Sequence, residues 1–273
     1  MVRKFSITLL ITLTTAALLS TAISFSQPSV PENATAEDIL DCVQYNYVEG
    51  TFYGEITIEL FRPDFSKLYE MEVWQQGEDH ALVLIHAPED EAGSGYLIDD
   101  EDLWFYTPDA GFAIQLPSSA LSENLLGADL SIDDLSRNTL TEDFDLENLG
   151  ARAANEDESE LEEDRVYQVR LTPKPEAPVV YGKLEILVRE SDCATLRIDY
   201  YDQRDTLIRQ ATFSEFEVAG EEGRERVVPI RSEFDDLLEE GSRTVQIIQS
   251  YELDLEIPAQ RFTLDCLEQG LCD

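Results

Sequence analysis

The sequence predicts a mainly β fold: an antiparallel sheet curled into a barrel or half-barrel, with small α-helices laid over its apolar concave side. Three observations predict it. Apolar and polar residues alternate with period two in both halves of the chain. Turn signals return about every ten to fifteen residues. Between Pro117 and Leu135 the period becomes helical, and its apolar stripes need a surface to bury against. A sheet of many strands with one dry face must curl or split. The concave side is then the surface available to the helices.

The elements follow in order. Residues 1–26 read as an export signal. Arg3 and Lys4 make a basic start, Ile7 to Ile23 is apolar, and Ser24-Phe25-Ser26 offers small residues for cleavage near Ser26. No cysteine stands at that point, so the protein is not expected to be a lipoprotein itself. The remaining chain, 27–273, reads as a single domain. Thr35 opens a helix, Asp38 completes a capping pair, and Ile39, Cys42 and Val43 form one apolar stripe.

From Thr51 the period is two. Phe52, Ile56, Ile58 and Leu60 alternate with Tyr53, Glu55, Thr57 and Glu59, and Arg62-Pro63-Asp64 breaks the strand. Tyr69, Met71 and Val73 alternate in the next strand. Ala81 to Ile85 is apolar on both faces. Leu97 to Tyr106 reads as a hairpin turning at Asp99-Asp100, and Phe112, Ile114 and Leu116 alternate after it.

Pro117-Ser118 ends the strands. Leu121, Leu125 and Leu126 have helical spacing, Gly127 is a stop, and Ser131 with Asp134 makes a second cap before Leu135. Residues 136–164 turn polar and then acidic, and 151–164 is expected to be a mobile loop because it has little to bury. Strands resume at Tyr167, Val169 and Leu171. They continue through Val180 to Val188, Leu196 to Tyr200, about 206–218, about 226–234, and Val245 to Ile257.

Composition excludes several functions. Lys and Arg total 19 against 58 Asp and Glu, a net charge of −39. Such a field repels nucleic-acid phosphates and anionic lipid surfaces. The bland reading is a strongly solvated surface suited to high salt. Calcium binding by Asp99-Asp100-Glu101-Asp102 is the sharper reading, but no EF-hand spacing accompanies it. The only histidines, His80 and His86, flank one strand without a partner at metal-ligand spacing. No GxSxG, HExxH, Walker or GxGxxG pattern occurs, so no enzyme and no cofactor is expected.

Four cysteines allow three pairings, and an exported compartment permits disulfides. Cys266 and Cys272 flank a loop with Gly270, which suggests a local clip and leaves Cys42 with Cys193. The alternative is one or more free or buried thiols.

Several ordered motifs carry a family resemblance. They are Gly54-x-Ile56-Thr57-Ile58 leading to Arg62-Pro63, Met71-Glu72-Val73-Trp74-x-x-Gly77, Leu84-Ile85-x-x-Pro88, Gly95-Tyr96-Leu97 and Leu103-Trp104-x-Tyr106-x-Pro108. Leu116-Pro117-Ser118, Gly127-Ala128-Asp129-Leu130-Ser131-x-x-Asp134-Leu135 and Ile257-Pro258-x-x-x-Phe262-Thr263 follow. With these the mature chain resembles the outer-membrane lipoprotein-sorting proteins, the LolA-like and LolB-like group of periplasmic carriers. The resemblance implies an incomplete, strongly curved antiparallel β-barrel whose mouth is closed by helices. It implies a periplasmic carrier of lipoprotein acyl chains or another lipid, with an inner-membrane transporter or permease as partner. It also implies an arginine that latches the lid, for which Arg62 is the candidate. A monomer is expected.

The expected cavity wall and lid comprise Phe52, Ile56, Ile58, Leu60, Met71, Val73, Trp104, Tyr106, Ile114, Leu125, Leu130 and Leu135. An acyl chain buried there would gain roughly 0.8 kcal/mol per CH₂. A second expectation of a different class is an acidic interaction module that docks a membrane transporter and carries no lipid. An outer-membrane barrel is disfavoured by the charges on the outward strand faces.

Overall fold

The computed structural model describes residues 28–47, 50–77, 79–100, 102–117, 120, 124–130, 143–159, 163–175, 177, 179–221 and 223–272. The expected export signal lies outside them, as do Leu121, Ser131, Asp134 and Leu135.

The fold is mainly β. One antiparallel sheet holds thirteen strands in the order β6-β5-β4-β3-β2-β1-β13-β12-β11-β10-β9-β8-β7. The first half of the chain supplies β1 (Thr51–Phe61), β2 (Ser66–Gln76), β3 (His80–Ala87), β4 (Gly95–Asp99), β5 (Asp102–Tyr106) and β6 (Ala113–Leu116). The second supplies β7 (Phe144–Ala153), β8 (Arg165–Pro173), β9 (Lys183–Arg189), β10 (Thr195–Tyr201), β11 (Leu207–Ala219), β12 (Arg226–Asp236) and β13 (Arg243–Leu253). Each half is a meander, and the halves join where β1 pairs with β13. Among the described residues β6 and β7 do not pair, so the barrel is not closed. Register shifts fall at Glu55/Ile56, Glu70/Met71, Asn148/Gly150, Thr195/Arg197 and Tyr200/Tyr201. Such bulges bend and twist a sheet locally.

Helix α1 (Ala36–Tyr47) lies on the inner face. Its start is fixed by a reciprocal cap: Asp38 N–H donates to Thr35 Oγ1 at 3.1 Å, and Thr35 N–H donates to Asp38 Oδ2 at 2.8 Å. Ile39, Leu40 and Val43 are buried against the sheet. The Cys42–Cys193 disulfide staples the helix to the β9–β10 turn, with Cα atoms 5.5 Å apart. Asn46 adds a second tie, donating to the Asp192 carbonyl at 2.9 Å and accepting from Val227 N–H at 3.0 Å.

The outer face of β2–β6 is covered separately. A 3₁₀ turn (Ala259–Phe262) and helix α2 (Leu264–Gln269) close over Leu82 and Leu97, with Phe262, Cys266 and Leu267 buried between. Cys266 and Cys272 are disulfide-bonded, with Cα atoms 4.5 Å apart. Gly95 permits this approach. A Cβ there would lie 2.5 Å from the Val83 carbonyl oxygen and 3.0 Å from Leu267 Cδ1.

One expectation is corrected. Residues 144–153 form the edge strand β7, where a polar stretch was expected, because Phe144 and Leu146 point to the core across a weakly apolar sequence. In the acidic segment expected to be a mobile loop, residues 151–153 belong to β7 and the other described residues form a hydrogen-bonded turn. Asn155 Oδ1 accepts from the N–H groups of Asp157 and Glu158, and Arg152 grips the Glu158 carboxylate through both terminal nitrogens. Asp164 accepts from the hydroxyls of Ser159 and Ser191, both at 2.7 Å.

Candidate functional site

The inner face carries a continuous apolar surface. Ile56, Ile58 and Leu60 of β1 stand beside Tyr69 and Met71 of β2, and Ile85 of β3 and Leu103 of β5 extend the row. On the other half, Val169, Leu171, Leu184, Ile186, Tyr200 and Phe234 complete it. Among the described residues two pieces cover this surface: α1 over the second half, and the segment 124–130 near the β1–β2 turn.

That segment holds a 3₁₀ turn, Leu125–Gly127, inside a loop closed by Leu125 N–H donating to the Leu130 carbonyl at 2.8 Å. Leu125, Ala128 and Leu130 are buried against the sheet. Leu126 takes a left-handed conformation at φ 53°, which costs a branched L-residue roughly 1–2 kcal/mol. Polar groups of the sheet hold the segment in this shape. Arg62 Nη1 donates to Asp129 Oδ2 at 2.8 Å, and Arg62 Nη2 donates to the Gly127 carbonyl. Thr244 sits behind, donating its hydroxyl to Asp129 Oδ2 and accepting from Asp129 N–H, both at 2.8 Å. Arg209 donates to the Asp129 carbonyl at 2.9 Å and stacks over Tyr200. Tyr69 OH reaches the Leu126 carbonyl at 3.4 Å. The ion pair is largely withdrawn from water, with 13% and 6% of the two side chains exposed.

The structure brings most of the expected wall residues together. Ile56, Ile58, Leu60, Met71, Leu125 and Leu130 share one buried cluster, and Phe52 and Val73 pack against it. Trp104 and Tyr106 do not join them. They lie on the outer face and pack under α2 and the second 3₁₀ turn. Their neighbours Leu103 and Phe105 face inward instead, with Phe105 against Tyr96 at 4.6 Å between ring centroids. The stretch Leu103-Trp104-Phe105-Tyr106 is apolar at every position, so alternation could not choose its inner face. Ile114 is opposite Phe105 on edge strand β6 and remains 46% exposed. Leu135 lies outside the described residues.

Sequence reasoning also missed Tyr69, Tyr96, Leu171, Tyr200 and Phe234 as inner residues. The register identifies Tyr69, opposite Ile58, and β-period alternation with Val169 could have found Leu171. Burial pushes the Tyr96 hydroxyl up to about 12, helped by the Glu91 charge, so it stays neutral and suits an apolar wall. His80 and His86 each approach a carboxylate, Asp99 at 3.0 Å and Glu72 at 3.4 Å. Among the described residues no group of three or more His, Cys, Asp or Glu side chains could hold a metal ion. No described helix is long and apolar enough to cross a membrane.

A family model whose description reads "Uncharacterized protein" matches residues 77–269. The chain matches none of the curated proteins. Among solved structures it is similar to a LolA superfamily protein from Nitrosomonas europaea, at 24% identity and a TM-score of 0.67, covering 85% of this chain and 99% of that one. It is similar to a putative outer membrane lipoprotein-sorting protein domain from Vibrio parahaemolyticus, at 16% identity and a TM-score of 0.72, covering 86% and 100%. It is also similar to a DUF1329 family protein from Desulfovibrio piger, at 20% identity and a TM-score of 0.72, covering 89% and 100%. At these identities the likeness establishes a shared fold.

Proposed function

Because the chain belongs to the family whose model spans residues 77–269 and has the fold of the LolA superfamily, we propose that it is an exported, non-catalytic carrier of lipoprotein acyl chains or another lipid. The cargo lies between the inner sheet face and its cover, and the segment 124–130 is the part that moves. The observation that carries this reading is the clamp of Arg62 on Asp129 and the Gly127 carbonyl. We read this charged side chain, held between backbone and carboxylate over an apolar surface, as a closure device.

Closed, the wall residues are buried by the cover and by one another. Lifting 124–130 exposes Leu60 and Tyr69, the residues it overlies, and opens a path to Ile58 and Met71. Each CH₂ of a lipid chain that replaces those contacts contributes roughly 0.8 kcal/mol, so a long chain offsets the opening. The periplasm is the compartment in which this carrier works, and both disulfides suit it. Release to an inner-membrane transporter or permease completes the proposed cycle.

Extraction of the purified protein with organic solvent, followed by mass spectrometry, tests the reading, with uptake of a fluorescent fatty acid as its second arm. Co-purified lipid or saturable uptake is expected. A protein that is lipid-free from its native host and refuses the probe overturns it. One observation favours a second reading, an acidic docking module without cargo: Ile58, Leu60 and Leu130 are already almost fully buried in the closed form. Salt-sensitive capture of a permease by lipid-free protein would support that instead.

A further inference from the structure

The sheet is divided at one place. Strands β12 and β13 pair from Asp235/Arg243 to Arg231/Ile247 and then part. Beyond that point β12 runs on to Arg226, still paired with β11, and β13 runs on to Leu253, still paired with β1. Each strand therefore keeps one paired edge and turns the other toward a gap. Three local features open it. β13 bulges at Gln249, since Ser250 faces Glu55 while Ile248 faces Ile56. β11 carries Glu215 at φ 56°, between the pairs Ser214/Arg231 and Phe216/Pro229. Pro229 has no N–H to offer β13, and proline within a sheet belongs to an edge.

The gap is a groove of about 800 Å³ lined by β11, β12 and β13. That size lies within the roughly 300–1,000 Å³ of ligand sites. Ile230 and Ile248 supply apolar surface, while Glu217, Glu221 and Glu252 set exposed carboxylates along its walls. Two side-chain pairs span it: Tyr251 OH donates to Glu217 at 3.2 Å, and Arg226 meets Asp254 at 2.6 Å. On the β12 side Val227 N–H is already given to Asn46. The ledge left for a new strand is β13 from Ile248 to Leu253, about 17 Å at ~3.4 Å per residue.

We propose that this wedge takes an extended, lysine- or arginine-rich peptide segment of a partner protein, paired by its backbone to β13. A strand added at a sheet edge gains main-chain hydrogen bonds, and its alternate side chains read the walls. Apolar residues of the segment meet Ile230 and Ile248, and its cations meet Glu217, Glu221 and Glu252. The wedge lies at the Phe52/Leu253 end of the sheet, the end opposite Arg62 and Thr244.

The test uses the full chain and a fluorescent peptide of alternating lysine and valine, read by anisotropy. A glutamate–valine peptide and a lysine–valine peptide N-methylated on alternate amides are the controls. The lysine–valine peptide should bind and protect the Ser250–Leu253 amides from hydrogen exchange. Its affinity should fall at least tenfold on N-methylation, and at least tenfold in the Glu217→Lys/Glu252→Lys double variant. Undiminished binding of the N-methylated peptide, undiminished binding by the double variant, protection elsewhere on this acidic surface, or no binding would each overturn the proposal. Fatty-acid uptake by the same samples reports separately on the carrier reading.

Discussion

Arg62 and Asp129 meet at 2.8 Å across the seam between the β1–β2 turn and the segment that covers the inner face. Thr244 holds the same carboxylate oxygen from the far side, so the aspartate is locked between two elements distant in sequence. Replacing Arg62 by Met leaves Asp129 buried without its cation. Breaking such a pair costs about 3 kcal/mol, roughly a hundredfold in the opening equilibrium. Hydrogen exchange at Asp129 and Ala128 should accelerate by that order while the amides of β8 and β9 keep their protection. Equal rates in the variant and the parent protein would remove the latch role.

On the carrier reading, the face reversal in β5 separates cargo contacts from packing. Phe105→Ala should weaken fatty-acid binding about tenfold, because Phe105 lines the inner face with Tyr96. Trp104→Ala should leave binding intact but cost about 3 kcal/mol of stability, because Trp104 supports α2 on the outer face. Titration with a labelled fatty acid and a thermal melt read the two effects. A reversal of the pattern would mean that cargo lies on the outer face.

The two disulfides differ in what they close. Cys42–Cys193 spans a sequence separation of 151 and Cys266–Cys272 one of 6. Chain-entropy arguments give about 5 kcal/mol for the first and about 2 kcal/mol for the second. The Cys42→Ala/Cys193→Ala double variant should therefore melt roughly 10–20 °C lower, and the other pair's variant only about 4–8 °C lower. Calorimetry decides the order.

Acid should loosen the turn between β7 and β8. The Arg152 guanidinium holds the Glu158 carboxyl below its usual range, against some burial. Burial raises Asp164, but the hydroxyls of Ser191 and Ser159 and the Arg165 N–H outweigh it and leave its carboxyl lowered. Groups depressed in the folded state contribute stability above their unfolded values, about 4.3 for Glu and 3.9 for Asp, and lose it as pH falls through the folded ones. Hydrogen exchange at Ala154 and Glu158, corrected for intrinsic rate, should rise below pH ~4 and be flat from about pH 5 to 7. A flat profile down to pH 2 would argue that other contacts hold the turn.

Much of the fold was legible because alternation is clean where one face is wet. The Thr35–Asp38 cap, β1, β2 and β8 all stand where their residue patterns put them. The edge strand β7 was not legible, since Glu147, Asn148 and Gly150 dilute its pattern and only β8 pairs with it. Helix α2 was hidden behind Leu255 and Ile257, which extend the apparent β13 period although the strand ends at Leu253. At the site, the latch role of Arg62 was reached only through the family resemblance. Its partner Asp129 was not reached, because nothing local in the sequence links residues joined only by the curvature of the sheet. The split at Pro229 had a visible signal, a proline inside an apparent strand.

Helix α1 is tied at Cys42 to the β9–β10 turn and at Asn46 to β12 and the Asp192 carbonyl. A lid fastened at two points does not lift. Among the described residues the cover of the inner face therefore has one part tied at two points, α1, and one part held by side chains on the Arg62 side. On the carrier reading, cargo enters and leaves past the β1–β2 turn, where Arg62 holds the described part of the cover. Reduction of Cys42–Cys193 would remove one of these two ties and leave α1 held through Asn46 alone.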